Sequence, residues 1–187
     1  MQVATLQNDN TRRGGLQINF PGFLCTLGFN DGTGSFITNS HCTNTQGGVE
    51  STQYFQPTST VDPTVIATEV EDPKYFRGGA CPKGRKCRYS DASRALYSAG
   101  VASERGLIAK TSAPNNGSLD VTGSFTVTSQ DNTTTSFALG TTINKVGRTT
   151  GWTQGVVTAT CVNTNVSGTN ITPVSYTHLT LPTIYSV

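Results

Sequence analysis

The sequence predicts an all-β protein, and three observations carry that expectation. Charged residues make up 13% of the 187 positions, about half the roughly 25% usual in globular domains. Glycine, serine, threonine and asparagine fill the gap while good helix formers are scarce, a composition that favours short strands joined by polar turns. No segment sustains a long apolar period of 3.6, whereas short runs of period two recur between turn signals. The length suffices for one large domain or two small ones, with room for a sizeable core.

In chain order, Leu16–Phe20 (LQINF) alternates apolar and polar side chains and reads as a strand ended by Pro21-Gly22. Phe23–Phe29 reads as a second strand. Asn30-Asp31-Gly32-Thr33-Gly34 is a hairpin turn, because Asp-Gly and glycine tolerate the positive φ such turns need. Ser35–Ser40 returns as a third strand. Gln53–Phe55 and Val65–Val70 follow, separated by a Pro-Thr-Ser-Thr loop, and Ala95–Tyr97 and Leu107–Lys110 continue the sheet. The stretch Asp91–Ala102 offers at most one helical turn or an irregular segment.

Ser112-Ala113-Pro114-Asn115-Asn116-Gly117 is the best linker. Beyond it Val121, Phe125 and Val127 would face one way, and Thr122, Ser124, Thr126 and Thr128 the other. Gln130-Asp131-Asn132 marks a turn, and Thr142–Val146 and Gly155–Thr160 read as further strands. Two β units are therefore expected, with boundaries at 1–14 (N-terminal segment), 15–113 and 114–173.

Composition also excludes function classes. A net charge of +2 is too small to argue for nucleic acid or an anionic membrane surface. The one basic run, Lys83-Gly84-Arg85-Lys86, reads as a solvated loop. No apolar run is long enough to span a bilayer, and MQVATLQNDNTRRGG lacks the apolar core of a signal peptide. Five cysteines do not suit a reduced cytosolic chain. Cys25 and Cys42 bracket a hairpin, and Cys81 and Cys87 bracket a tight loop. Neither pair has Cys-x-x-Cys metal spacing, so disulfides and an oxidising, extracellular compartment are expected. Cys161 is left without a partner.

The segment 174–187 stands apart. VSYTHLTLPT is one reading frame of a transposon-end sequence running into a sequencing adapter, so these residues are expected to be a translated adapter tail and are excluded from fold reasoning. His178 falls inside it. That leaves His41, in Phe36-Ile37-Thr38-Asn39-Ser40-His41-Cys42, at the end of a short apolar strand. One imidazole on a rigid backbone suits a general base and is too few for a histidine-rich metal site; no metal or cofactor is expected. Taken alone, His41 also fits a core histidine satisfied by backbone, and Ser90-Asp91-Ala92-Ser93 fits a helix N-cap.

Three segments in order weigh against those bland alternatives. FITNSHCT resembles the histidine segment of chymotrypsin-like (trypsin-family) serine proteases, and Cys25 sits where those proteins place the partner of the cysteine after the histidine. CRYSDASRALYS resembles their segment with the buried aspartate. KVGRTTGWTQGVVTATC resembles the opening hairpin of the second barrel in secreted bacterial members. The resemblance covers roughly Gly14 to Cys161.

It implies a double Greek-key β-barrel, with the first barrel complete and the second truncated. It further implies a secreted, monomeric endopeptidase acting on protein or peptide substrates. His41 would take and return the proton of a serine hydroxyl, and Asp91 would fix the imidazole tautomer. The Cys81–Cys87 staple would stiffen the segment presenting Asp91; Asp62, Glu69 and Asp72 are the other acids considered, Asp72 in a surface turn. Trp152 is expected to pack rather than touch substrate. The sequence also departs from the family. Asn39 and Ser40 replace small apolar residues, and no Gly-Asp-Ser-Gly segment occurs. Ser118 lies at the linker, where the chain order His, Asp, Ser would not place a nucleophile. The nucleophile, oxyanion hole, specificity pocket and partner of Cys161 are expected beyond Asn170, leaving this stretch inactive by itself. The alternatives are a non-catalytic protease-like binding module and, more remotely, an unrelated disulfide-stapled β-sandwich.

Overall fold

The computed structural model describes residues 4–129, 138–159 and 171–173. Within them the chain forms fourteen short strands and a single 3-10 turn, with no α-helix. The expected turn at Gln130–Asn132, Cys161, His178 and the segment 174–187 lie outside the described residues.

The largest sheet has five antiparallel strands: β4 (Phe29–Asn30), β5 (Ser35–Thr38), β9 (Ser93–Tyr97), β7 (Ala67–Glu71) and β6 (Gln53–Tyr54), in that spatial order. A hairpin of β2 (Gln17–Phe20) and β3 (Phe23–Thr26) adjoins it. The expected single strand Phe23–Phe29 is thus two, because at Leu27-Gly28 the backbone changes partner. Leu27 N–H donates to Leu16 O at 2.8 Å, whereas Gly28 N–H donates to Ile37 O at 2.9 Å. A Cβ on Gly28 would stand 2.8 Å from that same carbonyl, so this corner excludes a side chain. At the other end of the sheet, mutual backbone bonds between Asn19 and Phe55 of 2.8 and 2.9 Å tie β2 to the residue after β6.

The turn between β4 and β5 is the one expected at Asn30–Gly34. The Asp31 carboxylate accepts the backbone N–H groups of Thr33 (2.8 Å) and Ser35 (3.0 Å) and both hydroxyls. Although desolvation works against it, this set of donors, led by the Ser35 hydroxyl, lowers the Asp31 carboxyl to about 2. Gly34 supplies the positive φ of 78°.

Side chains from β2, β5, β6, β7 and β9 meet Leu27, Cys42 and Ile66 in one apolar core: Ile18, Phe20, Leu27, Phe36, Cys42, Tyr54, Ile66, Ala67 and Ala95. Phe36 is fully buried, with its ring against Tyr54 (5.4 Å) and Tyr97 (5.3 Å). A second cluster joins Leu6, Leu16 and Ala109 to Leu119, Val121 and Val146, so the N-terminal segment packs on residues that follow the expected linker.

Several elements differ from the sequence reading. β10 runs over Ser103–Lys110 rather than starting at Leu107, and it pairs with β1 (Arg12–Gly14), which the sequence did not signal, and with β11 (Gly123–Thr126). Val127 is half exposed instead of sharing a buried face with Val121. The hairpin of β12 (Thr142–Gly147) and β13 (Gly151–Val156) begins earlier than the expected strand Gly155–Thr160. Gly151 at φ 68° closes the turn between the two strands and sets the register. β9 (Ser93–Tyr97) contains the expected strand Ala95–Tyr97 and starts two residues before it, so strand occupies part of the stretch Asp91–Ala102 also read as a helical turn or irregular. Lys86, read as part of a solvated loop, opens β8 (Lys86–Arg88), which pairs in parallel with β14 (Ile171–Pro173).

Candidate active site

His41 is presented by a short turn with two buried anchors. β5 ends at Thr38, Asn39 stays extended, and Ser40–Cys42 closes a 3-10 turn in which Cys42 N–H donates to Asn39 O at 2.9 Å. Ser40 is fully buried and its hydroxyl donates to Asp72 Oδ2 at 2.9 Å. Cys42 is also buried, bonded to Cys25 on β3, and its carbonyl accepts the Tyr54 hydroxyl at 2.8 Å. With its neighbours fixed inward, the His41 side chain turns outward and is 45% exposed. An imidazole so held has one rotational freedom left, its own side-chain torsions.

Asp91 removes that freedom. The β5–β9 register pairs Thr38 with Ser93, which carries the residues after Thr38 alongside those before Ser93. Three contacts result. Asn39 Nδ2 donates to Asp91 O at 3.1 Å, His41 N–H donates to Asp91 Oδ1 at 3.0 Å, and His41 Nδ1 lies 2.6 Å from Asp91 Oδ2. The other ring nitrogen, Nε2, is on the opposite edge of the ring. Burial by itself would raise the Asp91 carboxyl. The hydrogen bond and charge of the His41 ring, the charge of Arg88 and the His41 amide outweigh it and hold the group below the usual carboxylate value. An ionised Asp91 only accepts, so Nδ1 carries the proton that points at it, and the tautomer this selects in a neutral ring has its lone pair on Nε2.

Asn39 therefore has a use that its polarity alone did not reveal, since it latches the strand end to the Asp91 backbone. Arg88 was not singled out from the sequence. Its side chain is fully buried, with Nη2 2.7 Å from Asp91 Oδ1 and the guanidinium 5.4 Å from the Tyr75 ring centre. The only sequence signal was the spacing of an arginine three residues before the acid.

The other candidate acids sit elsewhere. Asp72 is buried rather than in a surface turn, accepting Ser40 Oγ and Gly47 N–H (3.0 Å). Glu69 is buried and accepts Thr52 N–H at 3.1 Å, and Asp62 caps its own turn through Thr64 N–H at 2.9 Å. Ser118 lies in a turn where its hydroxyl accepts Asp120 N–H at 3.4 Å. Trp152 packs edge-on against Phe125, and its indole N–H donates to Asn144 Oδ1 at 2.8 Å. Cys81 and Cys87 are joined, six residues apart, immediately before Arg88. Cys25, His41 and Cys42 offer ligand-type atoms within 4.8 Å of one another, but both sulfurs are spent in the disulfide and no thiolate remains for a metal.

A cleft of about 800 Å³ is lined by Thr26, Gly28 and Asn39 and by β12. No helix of the described residues is long and apolar enough to cross a membrane.

The fold as a whole has a solved counterpart. No family model matches the chain, and no curated protein matches it. Among solved structures, the crystal structure of Thermobifida fusca Protease A matches with a TM-score of 0.52 and 22% identity, over 86% of this chain. The fold is chymotrypsin-like. The match spans 66% of the length of Protease A.

Proposed function

We propose that the protein is a secreted serine-type endopeptidase in which His41 is the general base and Asp91 its orienting carboxylate. The single observation that carries this reading is the 2.6 Å contact between His41 Nδ1 and Asp91 Oδ2, on a ring that is 45% exposed. Nε2 then accepts the proton of a nucleophilic hydroxyl as it attacks a peptide carbonyl, and returns it to the leaving amine. Asp91 stabilises the imidazolium between those steps. The likeness to a protease fold and the two disulfides support the same reading. The 187 residues hold no Gly-Asp-Ser-Gly segment. The nucleophile, the oxyanion donors and the specificity pocket belong to residues outside them, so this stretch alone is inactive. The domain reading, 15–113 as the unit with His41 and Asp91 and 114–173 as the start of a second, is part of the same proposal.

The test uses the full-length gene. His41→Ala in that protein removes nearly all peptide hydrolysis while leaving the circular dichroism spectrum and unfolding midpoint in place. Retained turnover rejects His41 as the base. Failure of the unsubstituted protein to react with a fluorophosphonate probe favours the binding module without a nucleophile.

A further inference from the structure

Arg88 is a costly residue for a fold to keep. A guanidinium removed from water loses several kcal/mol of hydration, on the order of magnitude seen for any buried ion, and recovers it only through well-placed partners. Here the side chain is fully buried, yet Nε, Nη1 and Nη2 all lack a hydrogen-bond partner among the described residues. Among those residues its one ionic contact is Nη2 to Asp91 Oδ1 at 2.7 Å. A hydrophobic residue of similar volume would fill the same space beneath Tyr75 without that cost, so packing gives no reason for an arginine.

The geometry around the carboxylate supplies one. Oδ1 accepts the His41 backbone N–H and has the Arg88 guanidinium 2.7 Å away as its ion-pair partner, while Oδ2 faces the imidazole Nδ1. The amide and the cation both hold Oδ1 and leave the second oxygen to the ring. Arg88 is itself fixed from both sides. Cys87, which precedes it, is tied to Cys81, and its backbone pairs with Phe76 through bonds of 2.9 and 3.0 Å. We propose that Arg88 is the positioning residue of the His41–Asp91 pair, locking the Asp91 carboxylate in the orientation that aims Oδ2 at the imidazole. This rests on the pair working as proposed above. Arg88 touches no reacting atom, and it acts only through Asp91.

The role has a signature in this chain itself. An imidazole Nδ1–H held by a carboxylate gives a far-downfield proton resonance, assigned by its loss in His41→Ala. Arg88→Met is expected to broaden that resonance away or move it upfield, while far-ultraviolet circular dichroism and both disulfides stay native. Arg88→Lys, which restores a cation near Oδ1, is expected to recover it in part. In the full-length enzyme Arg88→Met is expected to lower kcat about tenfold with KM unchanged, since small misplacements of a base fall on the chemical step.

A folded Arg88→Met whose resonance keeps its position and width overturns the proposal, as does a kcat unchanged from the parent. Should the methionine variant not fold, Arg88→Gln keeps a donor without the charge, and an unaltered resonance there overturns the proposal equally. If the unsubstituted chain shows no such resonance and Asp91→Asn changes nothing, the His41–Asp91 pairing itself fails, not the role given to Arg88.

Discussion

The two disulfides should differ in what they contribute, and their loop lengths give the size of the difference. Cys25–Cys42 closes 17 residues of separation and Cys81–Cys87 closes 6. In the chain-entropy account those loops restrict the unfolded state by about 3 and about 2 kcal/mol respectively. The longer loop spans β4, its hairpin turn and β5, and it ends beside His41 in the apolar core. Cys42 is almost fully buried, so replacing it also removes packing from that core. The shorter loop exposes Pro82, Lys83 and Gly84 between two buried cysteines. Cys25→Ala with Cys42→Ala is therefore expected to lower the urea unfolding midpoint by about 1.5 M, taking a slope of about 2 kcal/mol/M. Cys81→Ala with Cys87→Ala is expected to lower it by about 1 M on the same slope. Both double variants are compared with the parent by fluorescence of the single tryptophan and by circular dichroism. Equal losses, or a larger loss from the shorter loop, refute the loop-entropy reasoning. Unequal slopes would show that the unfolded states differ in compactness, and the comparison would then move to thermal unfolding enthalpies.

Other outcomes follow from the same coordinates. Phe36→Ala, which empties the space between the rings of Tyr54 and Tyr97, is expected to cost about 3–5 kcal/mol in urea unfolding; a loss under about 1 kcal/mol would show that Phe36 does not hold this core together. Asp91→Asn leaves Arg88 buried without its counter-charge and is expected to cost about 3 kcal/mol at neutral pH. The charged and titratable groups facing Asp91 are His41, Arg88 and Tyr75. Because the Asp91 carboxyl is held below its ordinary value, its contribution is complete above the unfolded value of about 3.9. That contribution fades as pH falls through the lower folded value. The gap between parent and Asp91→Asn should thus narrow below about pH 4; a gap constant down to the acid transition would contradict the assignment.

The sequence by itself determined the all-β class, because period-two runs between Gly, Asp and Pro turns leave no stretch that a helix could use. It also determined the hairpin at Asn30–Gly34, where Asp31 and Gly34 supply the side-chain acceptors and positive φ that the turn needs. The strand carrying His41 and the pairing of four cysteines were legible for the same reason, since each depends on residues near one another in the chain. Only the tertiary structure decided what depends on distant residues. Thr38 opposite Ser93 brings Asp91 to His41, and no local pattern encodes that register. Asn39 looked like a flaw in the motif until its amide met the Asp91 carbonyl. Arg88 was not singled out, because nothing local marks a charge as buried until the chain folds over it. Burial is a property of the assembled molecule, and it is burial that made an arginine on β8 a partner for the carboxylate.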